Sequence, residues 1–218
     1  MTLDLLERQL HQVLPAAHLH PTSLPALGTL QLWLLDPTNL NRAFASDETQ
    51  RLLDNPPYWG FCWGSGLALA RWVLDHPEVV RGKRVLDFGS GSGVVALACA
   101  HAGAATSVAC DLDSDALLAC RLNAELNGLE LHLADDYFAV AGELDIIFAA
   151  DVLYDRDNRA FLDHFAERAG QVLVADSRVR DLKHPGYLRL ATLEGQTLPD
   201  LGEPLEFRQV ALYGRGLD

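Results

Sequence analysis

The sequence predicts an α/β fold with a mostly parallel, seven-stranded sheet, helices on both faces and an antiparallel hairpin at the C-terminal edge. Three observations predict it. From residue 83 onward, short apolar runs alternate with helical stretches, as in successive βαβ units. The first of those runs opens into a turn with three alternating glycines, Gly89, Gly91 and Gly93, and a helical stretch follows at once. Towards the C-terminus, two β-rich pieces, 192–197 and 205–213, have no clear helix between them, which suits an edge hairpin.

In chain order, residues 3–14 (LDLLERQLHQVL) carry apolar residues at helical spacing and run into Pro15, so they predict an amphipathic helix. Residues 15–60 are irregular and proline-rich and read as a cap or lid. Residues 1–63 thus form an N-terminal cap segment and 64–218 the core of one structural domain. Residues 64–76 predict a helix stopped by Pro77. Strand Lys83–Phe88 leads to a helix over 92–103, and strand 105–110 to a helix over 114–127 that Gly128 is placed to end. Strands at 130–134 and 144–150, a helix at 156–169 and a strand at 171–175 complete the alternating part.

Thirty Asp and Glu against seventeen Lys and Arg give a net charge of −13. Such a surface repels phosphate, which argues against a nucleic-acid partner and suits a basic protein surface or a small molecule. Of the four cysteines, Cys62, Cys99, Cys110 and Cys120, none forms a C-x-x-C pair, and three sit in apolar runs. They read as reduced core residues of a cytoplasmic protein. Met1–Val13 lacks the long apolar stretch of a leader, and nothing approaches a membrane span. The histidines are scattered, so no metal is implied.

The run Val85-Leu86-Asp87-Phe88-Gly89-Ser90-Gly91-Ser92-Gly93 carries the chemistry. Glycine lets a ligand approach the backbone, and the helix that follows offers free N–H groups. Asp87 at the strand end would oppose a pyrophosphate but pair with an ammonium, so the expected ligand bears an amino-acid head, as S-adenosylmethionine does. Asp111 ends the next strand, where a carboxylate can accept two ribose hydroxyls. Asp113 and Ser114 can cap the helix in its place. Asp135 ends the third strand and can take the adenine amino group, although the adjacent Asp136 can exchange roles with it. Gly91-Ser92-Gly93-Val94-Val95-Ala96 also fits G-x-G-x-x-A, so a dinucleotide site is the rival reading.

Asp151-Val152-Leu153-Tyr154 follows the fourth strand, which delivers Asp151 to the same sheet edge. A carboxylate and a phenol three residues apart can face one pocket; the alternative is a helix-capping Asp151 with Tyr154 as wall. Upstream, Tyr58, Trp59, Phe61 and Trp63 can form an aromatic rim over a sulfonium, or Trp59 and Phe61 can simply fill core.

Three segments, DNPPYWGFCWGSGLALARWVLDHPEVVRGKRVLDFGSGSG, ACDLDSDALLACRLNAELNGL and LDIIFAADVLYD, together resemble the electron transfer flavoprotein β-subunit lysine methyltransferases, which are seven-β-strand protein methyltransferases. The resemblance covers roughly residues 52–178. It implies a Rossmann-like class I methyltransferase fold and S-adenosylmethionine as cofactor, with S-adenosylhomocysteine as product. The implied cofactor residues are Trp63, Asp87, Gly89, Ser90, Gly91, Gly93, Asp111, Leu112 and Asp135, with Asp151 and Tyr154 catalytic. It implies a protein acceptor with an exposed lysine, the electron transfer flavoprotein β subunit being the first candidate. A small amine such as nicotinamide is the alternative acceptor, and a non-catalytic cofactor-binding module the second. Where the family continues its fifth strand into Asp-Pro-Gly-Arg, this chain has Asp176-Ser177-Arg178.

Overall fold

The computed structural model describes residues 2–24, 27–40 and 42–217. Its centre is a seven-stranded sheet of β3 (Arg84–Phe88), β4 (Thr106–Cys110), β5 (His132–Ala134), β6 (Leu144–Ala150), β7 (Ala169–Asp176), β8 (Leu188–Glu194) and β9 (Gln209–Arg215). The order is β5-β4-β3-β6-β7-β9-β8. The first five strands in that order run parallel, while β9 pairs antiparallel with both β7 and β8. The chain reverses its direction of travel across the sheet between β3 and β6, the place where open α/β sheets hold ligands.

Alternate residues of each strand point to opposite faces. Val85, Ile146, Phe148, Leu173 and Ala175 pack against α3 (Gly64–Asp75) and α4 (Val94–His101). Leu86, Ile147, Ala149, Val172 and Val174 pack with Leu162 and Phe165 of α6 (Phe161–Arg168) on the other face. α4 is buried along most of its length, as its run of Val, Ala, Leu and Cys requires. α5 (Ser114–Asn127) starts at Asp113, whose carboxylate accepts from the Asp115 amide at 2.8 Å, and ends at left-handed Gly128.

The N-terminal segment makes a further layer. Leu6, Leu10, Val13 and Leu14, from α1 (Thr2–Val13) and the turn after it, bury against Ala116, Ala119 and Leu122 of α5, together with Trp59 and Phe61. Residues 15–60 are more regular than their prolines suggest. β1 (Leu19–Ser23) and β2 (Gln31–Leu35) form an antiparallel hairpin, and α2 spans Ser46–Asp54. Pro21 is tolerated because β1 is an edge strand. Asparagine side chains of α5 pin β2: the Trp33 amide donates to Asn123 Oδ1 at 2.7 Å, and the Gln31 amide to Asn127 Oδ1 at 2.9 Å. Asn123 Nδ2 in turn donates to the Ser92 carbonyl in the glycine turn at 2.9 Å. Among the described residues no helix is long and apolar enough to cross a membrane.

Candidate active site

The glycine turn leaves β3 at the sheet's carboxyl edge. Gly89, Gly91 and Gly93 have φ of 67°, 51° and 78°, a region that disfavours side chains. A Cβ at Gly89 would lie 2.8 Å from Val152, and one at Gly93 2.9 Å from Cys120 Sγ, so both close against the protein. A Cβ at Gly91 would meet nothing within 4 Å; it would stand in open space, leaving room for a ligand.

Two carboxylates hold the turn. Asp87 is buried, and its Oδ2 accepts from the Ala96 amide at 3.0 Å in the first turn of α4. Burial pushes its pKa up to about 7, which the Ala96 bond opposes and Asp111 reinforces. Asp111 accepts the Gly91 amide on Oδ2 at 2.8 Å and the Asp113 amide on Oδ1 at 3.0 Å. Its pKa is also raised by burial, against those two bonds. A carboxylate has about four lone-pair sites, so Asp111 keeps acceptor capacity for a ligand.

Asp151 directly follows β6 with φ 53°, the one non-glycine residue with positive φ among those described. Its amide continues the β6–β7 ladder to the Ala175 carbonyl at 3.0 Å. The unusual backbone turns its carboxylate to the start of α3 rather than to a helix following β6. Oδ1 accepts from Ser65 Oγ at 2.5 Å and Ser177 Oγ at 3.3 Å, and Oδ2 from the Ser65 amide at 3.0 Å. Burial raises its pKa to about 6, opposed by the Ser65 hydroxyl and reinforced by Asp176. A bond from the Ser177 backbone also favours the charged form. Tyr154 is more than half exposed; desolvation of its covered part, reinforced by Tyr58 and Asp155, raises its pKa.

A cavity of about 580 Å³ lies over these strand ends. Trp63, Gly89, Gly91, Asp111, Leu112, Asp151 and Tyr154 line it. Asp87, Ser90 and Gly93 stand behind the glycine turn and are absent from the wall; so is Asp135, whereas Asp136 is on it. Of the interchangeable pair, Asp136 therefore faces the space. Trp63 donates its indole N–H to the Tyr58 carbonyl at 2.9 Å and meets the Tyr58 and Phe61 rings at 5.8 and 5.4 Å. Trp59 is packed into the core beneath this rim.

The cavity also reaches residues that local sequence does not announce. Ser177 follows β7, and Thr197, Glu203 and Phe207 lie in the connection between β8 and β9. Short-range patterns carry no signal for these, because they arrive from the far side of the sheet. The cavity thus has two halves. One lies over β3, β4 and β5 with Asp111 and Asp136; the other lies over β6, β7 and the β8–β9 connection with Asp151.

Among solved structures, a ribosomal protein L11 methylase from Lactobacillus delbrueckii subsp. bulgaricus superposes with a TM-score of 0.53 at 20% identity, covering 80% of this chain and 82% of that one. Magnesium protoporphyrin IX methyltransferase from Synechocystis PCC 6803, solved with bound SAM, gives 0.53 at 15% identity over 80% and 85%. The architecture is the class I methyltransferase fold. The family profile of ribosomal protein L11 methyltransferase (PrmA) matches residues 71–164, the glycine turn and its surroundings. Curated relatives extend further. The electron transfer flavoprotein beta subunit lysine methyltransferase of Xenopus laevis is 33% identical over 84% of this chain and 77% of its own length. The Mus musculus protein of that name is 37% identical over 66% of this chain, and the matched part spans 60% of the mouse protein. The chain belongs to the electron transfer flavoprotein β-subunit lysine methyltransferase family.

Proposed function

We propose that this protein methylates a lysine side chain of a protein, the electron transfer flavoprotein β subunit being the first candidate, with S-adenosylmethionine as methyl donor. One observation carries the reading: the charge of the cavity wall. Among the described residues on the wall, Asp111, Asp113, Asp136, Asp151, Asp176 and Glu203 face one cation, Arg178. Such a wall favours two cationic reactants, a sulfonium and an ammonium, and disfavours a pyrophosphate. The open side of Gly91, the Asp111 carboxylate and Leu112 fit an adenosine-bearing ligand, with Asp136 near the β5 end. The aromatic faces of Tyr58 and Trp63 suit a sulfonium.

When bound, S-adenosylmethionine supplies an electrophilic methyl. Asp151 is the acceptor-side group. Its position is fixed by Ser65 and Ser177, and from the cavity wall its carboxylate can receive an amine N–H. An ordinary lysine has a pKa near 10.4, so it arrives charged and must lose a proton before its nitrogen can attack. A carboxylate with a pKa of about 6 is a better proton acceptor than one at its ordinary value. Tyr154 and Trp63 wall the same space, and partial desolvation of an amine against their rings lowers its own pKa.

The experiment is transfer of tritiated methyl from S-adenosylmethionine to recombinant electron transfer flavoprotein β subunit, with mass spectrometry of the product. A labelled lysine is the expected result. No label in the protein, with label in nicotinamide or another small amine, overturns the lysine reading.

A further inference from the structure

We propose that Glu203, on the β8–β9 connection, is the specificity residue that receives the positively charged acceptor amine at the mouth of the cavity. The inference rests on the lysine reading above and adds a residue to it. The connection 195–208 is firmly attached to the cavity's aromatic rim. The Cys62 amide donates to the Leu198 carbonyl at 2.7 Å and the Leu198 amide returns to Cys62 at 2.9 Å. The Gly64 amide donates to Thr197 Oγ1 at 3.2 Å. Gly195 passes so close to Gly64 that a Cβ there would strike the Gly64 carbonyl oxygen. The segment carrying Glu203 is thus a built wall of the site.

Three acids lie on this connection, and they are treated differently. Asp200 faces Arg208 at 3.7 Å and accepts from Gln196 and the Gly202 amide. Glu206 faces Arg180 at 3.6 Å. Glu203, half-buried and facing the cavity, has no hydrogen-bond or ion-pair partner among the described residues. Arg178, the cation on the wall among the described residues, is not paired with it: its guanidinium lies over the Phe207 ring at 5.4 Å. Asp151 deeper in the cavity has most of its acceptor capacity taken by Ser65 and Ser177. An ammonium entering between the aromatic rim and the β8–β9 connection therefore meets Glu203 as the carboxylate with all its lone pairs free. Glu203 holds the charged form, and Asp151 receives the nitrogen further in.

The test uses n-butylammonium, the end of a lysine side chain, titrated into the full chain saturated with S-adenosylhomocysteine and followed by ligand-observed NMR. Glu203→Gln is expected to weaken butylammonium binding about five- to tenfold, with S-adenosylhomocysteine affinity and n-butanol binding unchanged. Asp200→Asn and Glu206→Gln, which touch the paired acids, are expected to leave butylammonium binding as it is. With a protein acceptor, Glu203→Gln raises KM and leaves kcat within about twofold. Equal butylammonium affinity in wild type and Glu203→Gln overturns the proposal, as does an equal loss in all three variants. Absence of S-adenosylhomocysteine binding by the wild type would instead strike the proposed function itself.

Discussion

Ser65, at the start of α3, gives Asp151 two hydrogen bonds at once: its amide reaches Oδ2 at 3.0 Å and its hydroxyl reaches Oδ1 at 2.5 Å. The hydroxyl bond opposes the rise in pKa that burial imposes. Ser65→Ala removes that bond and leaves the amide one. The Asp151 pKa then climbs above about 6, and the acidic limb of the pH–rate profile moves to higher pH. Measured profiles of wild type and variant check this; a uniform loss of rate at every pH would give Ser65 only a structural role.

Asp151→Asn keeps size and one acceptor oxygen but removes the charge and a proton-accepting site. Methyl transfer is expected to fall tenfold to a hundredfold, in the range for loss of a positioned acid–base group. Affinity for S-adenosylhomocysteine changes much less, because Asp111 and the glycine turn are untouched. The acidic limb centred near pH 6 disappears. Full activity of the variant, assayed beside calorimetry of the same sample, would leave Asp151 a purely structural residue at the start of α3.

Asp111→Ala removes an acceptor at the β4 end and frees the Gly91 amide it holds at 2.8 Å. Charge-assisted bonds contribute roughly 1.5–3 kcal/mol, so S-adenosylhomocysteine affinity should drop on the order of tenfold to a hundredfold. The melting temperature should change little, since Asp113 still caps α5 through the Asp115 amide. Calorimetry and thermal unfolding together separate the two effects.

Asp87 gives a stability prediction with a definite sign. Its folded pKa of about 7 lies above the value of 3.8 for a free carboxyl, so the folded state binds the proton more tightly. The corresponding stability is complete below about pH 4 and is lost as pH rises through 7. A shift of that size corresponds to on the order of 4 kcal/mol between protonation states. Urea unfolding at pH 5 and pH 8 should show a steeper loss for wild type than for Asp87→Asn. Parallel behaviour of the two would place the pH dependence elsewhere.

The parallel half of the sheet is legible because each strand and its helix are coded by adjacent residues. Val85–Phe88, the glycine turn and Val94–Cys99 announce themselves in one short stretch. The N-terminal hairpin is not legible, because β1 contains Pro21 and β2 (QLWLL) is a nearly unbroken apolar run without alternation. α2 escapes notice for the opposite reason. It buries no residue fully, and its opening bond runs from the Ala45 amide to Glu48 without a capping Ser or Thr. Within the site, Asp111 and Asp151 follow from their places at strand ends. The choice between Asp135 and Asp136 does not, since neighbours after a three-residue strand differ only by the local turn. Ser65 beside Asp151, and Glu203 at the mouth, depend on contacts between distant segments, which no local pattern encodes.

Asn123 touches the Trp33 amide with one end of its side chain and the Ser92 carbonyl with the other. A hinge shared in this way makes local opening of the hairpin and loosening of the glycine turn one event. Ligand that steadies the turn should slow hydrogen–deuterium exchange at the Trp33 amide, which lies outside the cavity wall. Exchange at the same rate with and without S-adenosylhomocysteine would mean that the two regions open separately. The hairpin is on this account a silent contributor to affinity: Asn123→Ala weakens ligand binding although Asn123 is not among the residues that line the cavity.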